Sequence, residues 1–217
     1  MIDNLKKTNQ IENLFLFFIA IICLFSLYPF IFLACLNLPE ASDDFFHAVF
    51  HTKNSYWEGI KEWYTGGYNG RYANAIFMLL PGRPFMNVGF SRTFPIVIIV
   101  FLYIGLLLLF DSLNRKKWKH NIIYSLIVIT FFYTFIPDIK LFYWYSGATV
   151  YIFSLVMYIF LLDLFIRFFN KKQNIFYIIS SVLLLFLIIG SHENWMIISF
   201  ITIILFVIDN MLKKEKN

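Results

Sequence analysis

The sequence predicts an all-α, multi-pass transmembrane helical bundle of about six spans, with a long first external loop that contains short interfacial helices. Three observations predict it. Only 14% of the 217 residues are charged, whereas a soluble domain carries ~25% and needs them for a solvated surface. Apolar stretches long enough, or nearly long enough, to cross a ~30 Å hydrocarbon layer recur along the chain. Lys and Arg fall in short clusters between those stretches, which is how topology is written into a membrane protein. A net charge of +5 would suggest a nucleic-acid partner for a soluble protein. Clustered between spans it suggests none.

The whole chain, 1–217, reads as one integral-membrane domain with spans near 14–36, 93–110, 121–137, 145–166, 174–190 and 195–212. Unpaired backbone groups cannot face lipid, so each span is expected to be a helix. The first has a basic lead in Lys6 and Lys7, but its apolar core exceeds the ~7–15 residues of a signal peptide. Phe32-Leu33-Ala34-Cys35 faintly resembles a lipoprotein cleavage box, with Phe in its weak position. An uncleaved anchor is expected. Cys23 and Cys35 lie on that one helix, roughly 18 Å apart at ~1.5 Å per residue, too far to bridge.

Orientation follows from the basic residues. Lys6, Lys7, Arg115, Lys116, Lys117, Lys119, Arg167, Lys171, Lys172, Lys213, Lys214 and Lys216 fall on one side of a six-span arrangement. Lys53, Lys61, Arg71, Arg83, Arg92 and Lys140 fall on the other. The richer side is cytoplasmic by the positive-inside rule, so both termini are expected there, in a cell membrane of the bacterial cytoplasmic type.

The external loop, 38–92, opens on Ser42-Asp43-Asp44-Phe45-Phe46-His47. A serine followed by two acids suits the start of a helix, where the macrodipole favours negative charge. Equally, two adjacent carboxylates raise each other's pKa, which suits a general base at the membrane surface. Asp43, His47 and His51 recur at i, i+4 and i+8, and two His at that spacing can chelate a transition metal. They are the weak candidates for a divalent ion, and solvated interfacial histidines are the plain alternative. Next, Trp57, Ile60 and Tyr64 share one face of a segment that suits the membrane interface. The run 65–70 breaks it, and the apolar piece 73–80 is too short to span.

Beside that break stands Tyr68-Asn69-Gly70-Arg71-Tyr72, where the planar fork of Arg71 suits phosphate. Two short external turns complete the polar set. Tyr143, Trp144 and Tyr145 fit an aromatic belt, and the same rings can stack on a sugar. Gly190-Ser191-His192-Glu193-Asn194-Trp195 places an acid at a helix start, close to the hydrocarbon boundary. Asp163 and Asp209, near the cytoplasmic ends, each have a basic residue four positions on, Arg167 and Lys213, and read as local ion pairs.

Taken in order, the Asp-Asp pair, the Gly-Arg-Tyr element, Tyr-Trp-Tyr-Ser-Gly-Ala and the Gly-x-x-Glu-Asn turn resemble an uncharacterised family of bacterial polytopic proteins. That family is itself similar to the GT-C superfamily of membrane glycosyltransferases, and the resemblance covers roughly 43–194. It implies a transferase taking a sugar from a polyprenyl-phosphate-linked donor at the external face. Asp43 and Asp44 match the catalytic acidic motif, one of them as the base. Arg71 would neutralise the phosphate leaving group. His192, Glu193 and Asn194 would bind substrate hydroxyls or phosphate, and Tyr72, Trp144 and Tyr145 would line the sugar or lipid groove. Members of such families continue through further spans, so a minimal member, a truncated remnant, or a subunit whose protein partner supplies the missing spans are all consistent. The rival classes are a non-catalytic assembly partner and a carrier of lipid or solute. Membrane lipid is a partner in each.

Overall fold

The structure is a computed structural model that describes residues 2–38, 55–65, 71–78, 87–114, 118–136, 138–170 and 174–214. Among them it is an all-α bundle without strands. Helix α1 covers Ile2–Leu36, and the loop that follows supplies two short helices, α2 (Tyr56–Thr65) and α3 (Tyr72–Met78). Helices α4 (Val88–Leu113) and α5 (Trp118–Phe135) form a hairpin. A broken segment comes next: α6 (Lys140–Tyr143), the single turn α7 (Tyr145–Gly147), a π-helical turn at Ala148–Ile152, and α8 (Phe153–Asn170). Helices α9 (Ile175–Ile189) and α10 (Glu193–Lys214) close the order.

Each apolar stretch expected to span is therefore helical. Four segments are long and apolar enough to cross a membrane: Gln10–Leu36, Val88–Leu113, Tyr145–Asn170 and Glu193–Leu212. The other two fall short for visible reasons. Helix α9 has only 15 residues, and α5 spends its first turn on Trp118, Lys119, His120 and Asn121.

The centre of the bundle is the segment Tyr145–Asn170. Half of it is buried, against 28% of Val88–Leu113 and 6% of Glu193–Leu212. Between lipid-facing helices the hydrophobic effect supplies little attraction, so close packing and small residues must. Gly105 of α4 meets α8 closely enough that a Cβ would stand 3.2 Å from Ile159. Ser125 and Ser154 are fully buried, and each hydroxyl donates to the carbonyl four residues back, Asn121 and Val150, at 2.8 and 2.6 Å. On α1, Cys23, Phe30 and Ala34 form the buried stripe, and Phe30 packs edge-on against Tyr133 and Phe142.

The ends of the bundle are tied by polar side chains. At the end carrying the loop, Asn37 donates from Nδ2 to the carbonyls of Ser91 (2.9 Å) and Tyr143 (2.8 Å), joining α1, α4 and α6. At the opposite end His120 meets Glu12 at 2.7 Å and Lys119 meets Asn13 at 3.3 Å, joining α5 to α1. The loop helices rest on the first of these ends. Trp63 and Gly59 of α2 are buried, and Trp63 packs with Ala75 and Val150, whereas Trp57 stays 75% exposed. The aromatics of α2 thus divide, one side gripping the protein and the other facing out.

Candidate functional site

Residues 71–74 enter the bundle through a run of contacts with the turn between α9 and α10. The Ala73 amide donates to the Gly190 carbonyl at 2.9 Å. The Tyr72 hydroxyl donates to Phe186 O at 2.8 Å, and its ring lies 4.7 Å from the Phe186 ring. Asn74 donates from Nδ2 to Ser191 O at 2.7 Å. Glycine is required at 190 because a Cβ there would sit 2.3 Å from Cε2 of Tyr72. Three consecutive residues are therefore stitched to the end of α9 and the tight turn after it.

Arg71 completes the run. Its Nε donates to Oε1 of Glu193 at 3.0 Å and its Nη2 to Oε2 at 2.8 Å, a planar two-bond match. The side chains keep 29% and 53% of their surface exposed, so the pair stands at a rim. The planar fork expected to suit phosphate is held by a carboxylate of the same chain.

His192 lies between this pair and the core. It is buried, and its Nδ1 accepts the Asn194 backbone N–H at 3.2 Å, which leaves the hydrogen of the neutral ring on Nε2. That nitrogen is 4.0 Å from Oε2 of Glu193. Burial lowers its pKa below the ordinary 6.5 and the Arg71 guanidinium lowers it further, with Glu193 opposing. The imidazole is thus a neutral donor at pH 7. Its ring centroid lies 4.9 Å from that of Tyr151 in the π-helical turn.

Not every residue singled out from the sequence gathers here. Tyr72 is close by, but its hydroxyl is committed to a main-chain carbonyl. Asn194 is exposed and contributes its backbone N–H. Tyr145 is buried, donates to Phe77 O at 2.7 Å and packs against Phe90 and Phe94, so it anchors α3 and α4 to the central segment. Trp144 lies over Gly147, where a Cβ would stand 2.3 Å from its ring, and its buried Nε1 has no hydrogen-bond partner among the described residues. Asp43, Asp44, His47 and His51 lie outside the described residues. Among the described residues no three His, Cys, Asp or Glu side chains are grouped to hold a metal ion.

Three further residues contribute to these clusters. Asn74 is 1% exposed, with Nδ2 satisfied and Oδ1 without a partner among the described residues. Tyr151 joins through the π-helical turn, which no local pattern announces. Asp111 of α4 joins the expected Asp163–Arg167 pair at the other end of the bundle. There Arg167 donates from Nε to Asp163 at 2.8 and 2.9 Å and from Nη2 to Asp111 at 3.3 Å. The Lys213 side chain, expected to pair with Asp209, lies outside the described residues. Compared with family models, with curated proteins and with solved structures, the chain matches none.

Proposed function

We propose that this chain is a GT-C-like membrane glycosyltransferase module that moves a sugar from a polyprenyl-phosphate-linked donor to a hydroxyl acceptor at the external membrane face. The chain then crosses the membrane six times with both termini in the cytoplasm. One observation carries it: Arg71 and Glu193, 122 residues apart, meet in a single polar cluster where the first external loop docks on the bundle. A lipid-linked headgroup sits at that depth, so the cluster meets it without extracting the lipid. In the transfer, an Asp43 or Asp44 carboxylate takes the acceptor hydroxyl proton. The acceptor oxygen bonds to the anomeric carbon as the carbon–oxygen bond to phosphate breaks, and the bonding pair leaves on the lipid phosphate.

The ion pair refines the roles within this reading. Arg71 and Glu193 together are neutral and offer both donors and acceptors, which suits sugar hydroxyls. Arg71 serves the phosphate when Glu193 turns to a hydroxyl instead. The test is transfer in proteoliposomes charged with radiolabelled polyprenyl-phosphate sugars. Asp43→Asn and Asp44→Asn are expected to include one variant that loses at least about a hundredfold, the usual scale of a missing general base, with membrane insertion unchanged. Full transfer by both variants overturns the catalytic assignment.

A second reading, assembly partner, is favoured by the span Glu193–Leu212, of which only 6% is buried within this chain. Cross-linking from α10 in native membranes separates the two, since a partner yields one discrete adduct and lipid contact yields none.

A further inference from the structure

The π-helical turn at Ala148–Ile152 interrupts the central helical segment beside His192. Wide turns of this kind give up the regular i→i−4 register and concentrate at functional sites. Here Ala148, Thr149, Val150 and Ile152 are all at most 7% exposed, while Tyr151 alone is 38% exposed. Its ring packs on His192 at 4.9 Å and 55°. Its hydroxyl has no hydrogen-bond partner among the described residues. The turn therefore presents one hydroxyl, without a partner among the described residues, and one aromatic face beside the cluster.

We infer that Tyr151 is a specificity-determining residue of a binding site for a neutral polyhydroxyl ligand, shared with His192, Glu193 and Arg71. This rests on the proposal that the cluster faces a sugar. Chemistry selects the ligand class. Arg71 and the Nε2–H of His192 donate, Glu193 accepts, and the Tyr151 hydroxyl does either. A sugar offers both kinds of group and an apolar C–H face for the ring. A simple anion instead meets the Glu193 carboxylate, which already occupies the guanidinium fork. An ordinary membrane-interface tyrosine would show the same exposure without contributing to binding.

The experiment uses the full chain in nanodiscs of phosphatidylethanolamine and phosphatidylglycerol, with ¹⁵N-labelled histidine and the His192 signal assigned by His192→Gln. Methyl glycosides of glucose, galactose and mannose, and inorganic phosphate, are titrated separately. At least one glycoside should shift the His192 signal, with phosphate leaving it in place. Tyr151→Phe, which keeps the ring and the fold, should weaken that titration about fivefold, the effect of one lost neutral hydrogen bond. Tyr151→Ala should weaken it further. The inference is overturned if no glycoside moves the signal, if phosphate moves it instead, or if Tyr151→Phe titrates like the wild type. Failure of the broader reading looks different: glycoside binding that depends on Tyr151, with no sugar transfer by the wild-type protein.

Discussion

At the scale of residues, magnitudes separate the contacts that hold the loop from those that do not. An exposed ion pair contributes about 0–1 kcal/mol, even with good geometry. Arg71–Glu193 is therefore a poor reason for the loop to dock, and Glu193→Gln is expected to cost under about 1 kcal/mol of stability while reducing transfer. Thermal unfolding in detergent beside the transfer assay checks this, and a large stability loss with transfer intact would make the pair structural. Gly190→Ala should behave in the opposite way. Its Cβ would overlap the Tyr72 ring, a backbone-anchored side chain, so a cost of about 1–3 kcal/mol is expected. Adding Tyr72→Ala should recover part of it.

His192 supplies the pH dependence. Its folded pKa lies below 6.5, so between the two values the unfolded chain binds a proton that the folded one refuses. Its contribution is whole above pH 6.5 and is lost as pH falls through the folded pKa. Unfolding midpoints measured on both sides of 6.5 should show this acid loss, and His192→Gln should flatten it. A wild-type midpoint that does not fall on acidification contradicts the buried neutral imidazole.

Among the elements, α8 is the one whose surroundings decide stability. Arg167, with 16% of its side chain exposed, satisfies Asp163 of its own helix and Asp111 and the Leu108 carbonyl of α4. Removing one partner of a buried pair leaves an uncompensated charge, typically at about 3–5 kcal/mol. Arg167→Gln should therefore unfold far more readily than the double change Arg167→Gln with Asp163→Asn, as read by denaturation in detergent. Equal losses would mean that Asp163 does not depend on the arginine. The elements also differ in how legible they were. Helices α1, α4 and α8 announce themselves by length and apolarity. The short α3 was foreseen from its apolar run 73–80 and the breaks around it. The π-helical turn was not, because Tyr-Ser-Gly-Ala-Thr-Val-Tyr-Ile has no period that distinguishes a wide turn from a regular one.

Across the whole molecule, the basic residues make the topology testable. With Cys23 and Cys35 replaced by alanine, a single cysteine at Ser55 should react with a membrane-impermeant maleimide added to intact cells. One at Asn174 should react only after the cells are opened. Reversed labelling would overturn the orientation, and with it the external placing of the Arg71–Glu193 cluster. The same scale explains why part of the site was readable and part was not. Arg71, His192 and Glu193 stood out as charged or titratable residues beside apolar runs, since burying such groups is costly and their occurrence there is informative. Asn74 did not, because one polar side chain within an apolar run is common, and only packing shows whether it is spent.

The sequence by itself determined the class: an all-α membrane bundle, the helical segments and the loop with its short helices. It could do so because hydropathy and charge act locally, on a backbone that must satisfy its own hydrogen bonds in lipid. Only the tertiary structure decided which polar residues meet. The pairing of Arg71 with Glu193 depends on the loop docking against a turn more than a hundred residues away, and the meeting of Tyr151 with His192 on the packing of two segments distant in sequence. Such contacts are set by shape, by the absence of a Cβ at Gly190 and by one wide turn in a central helix, none of which leaves a periodic trace along the chain.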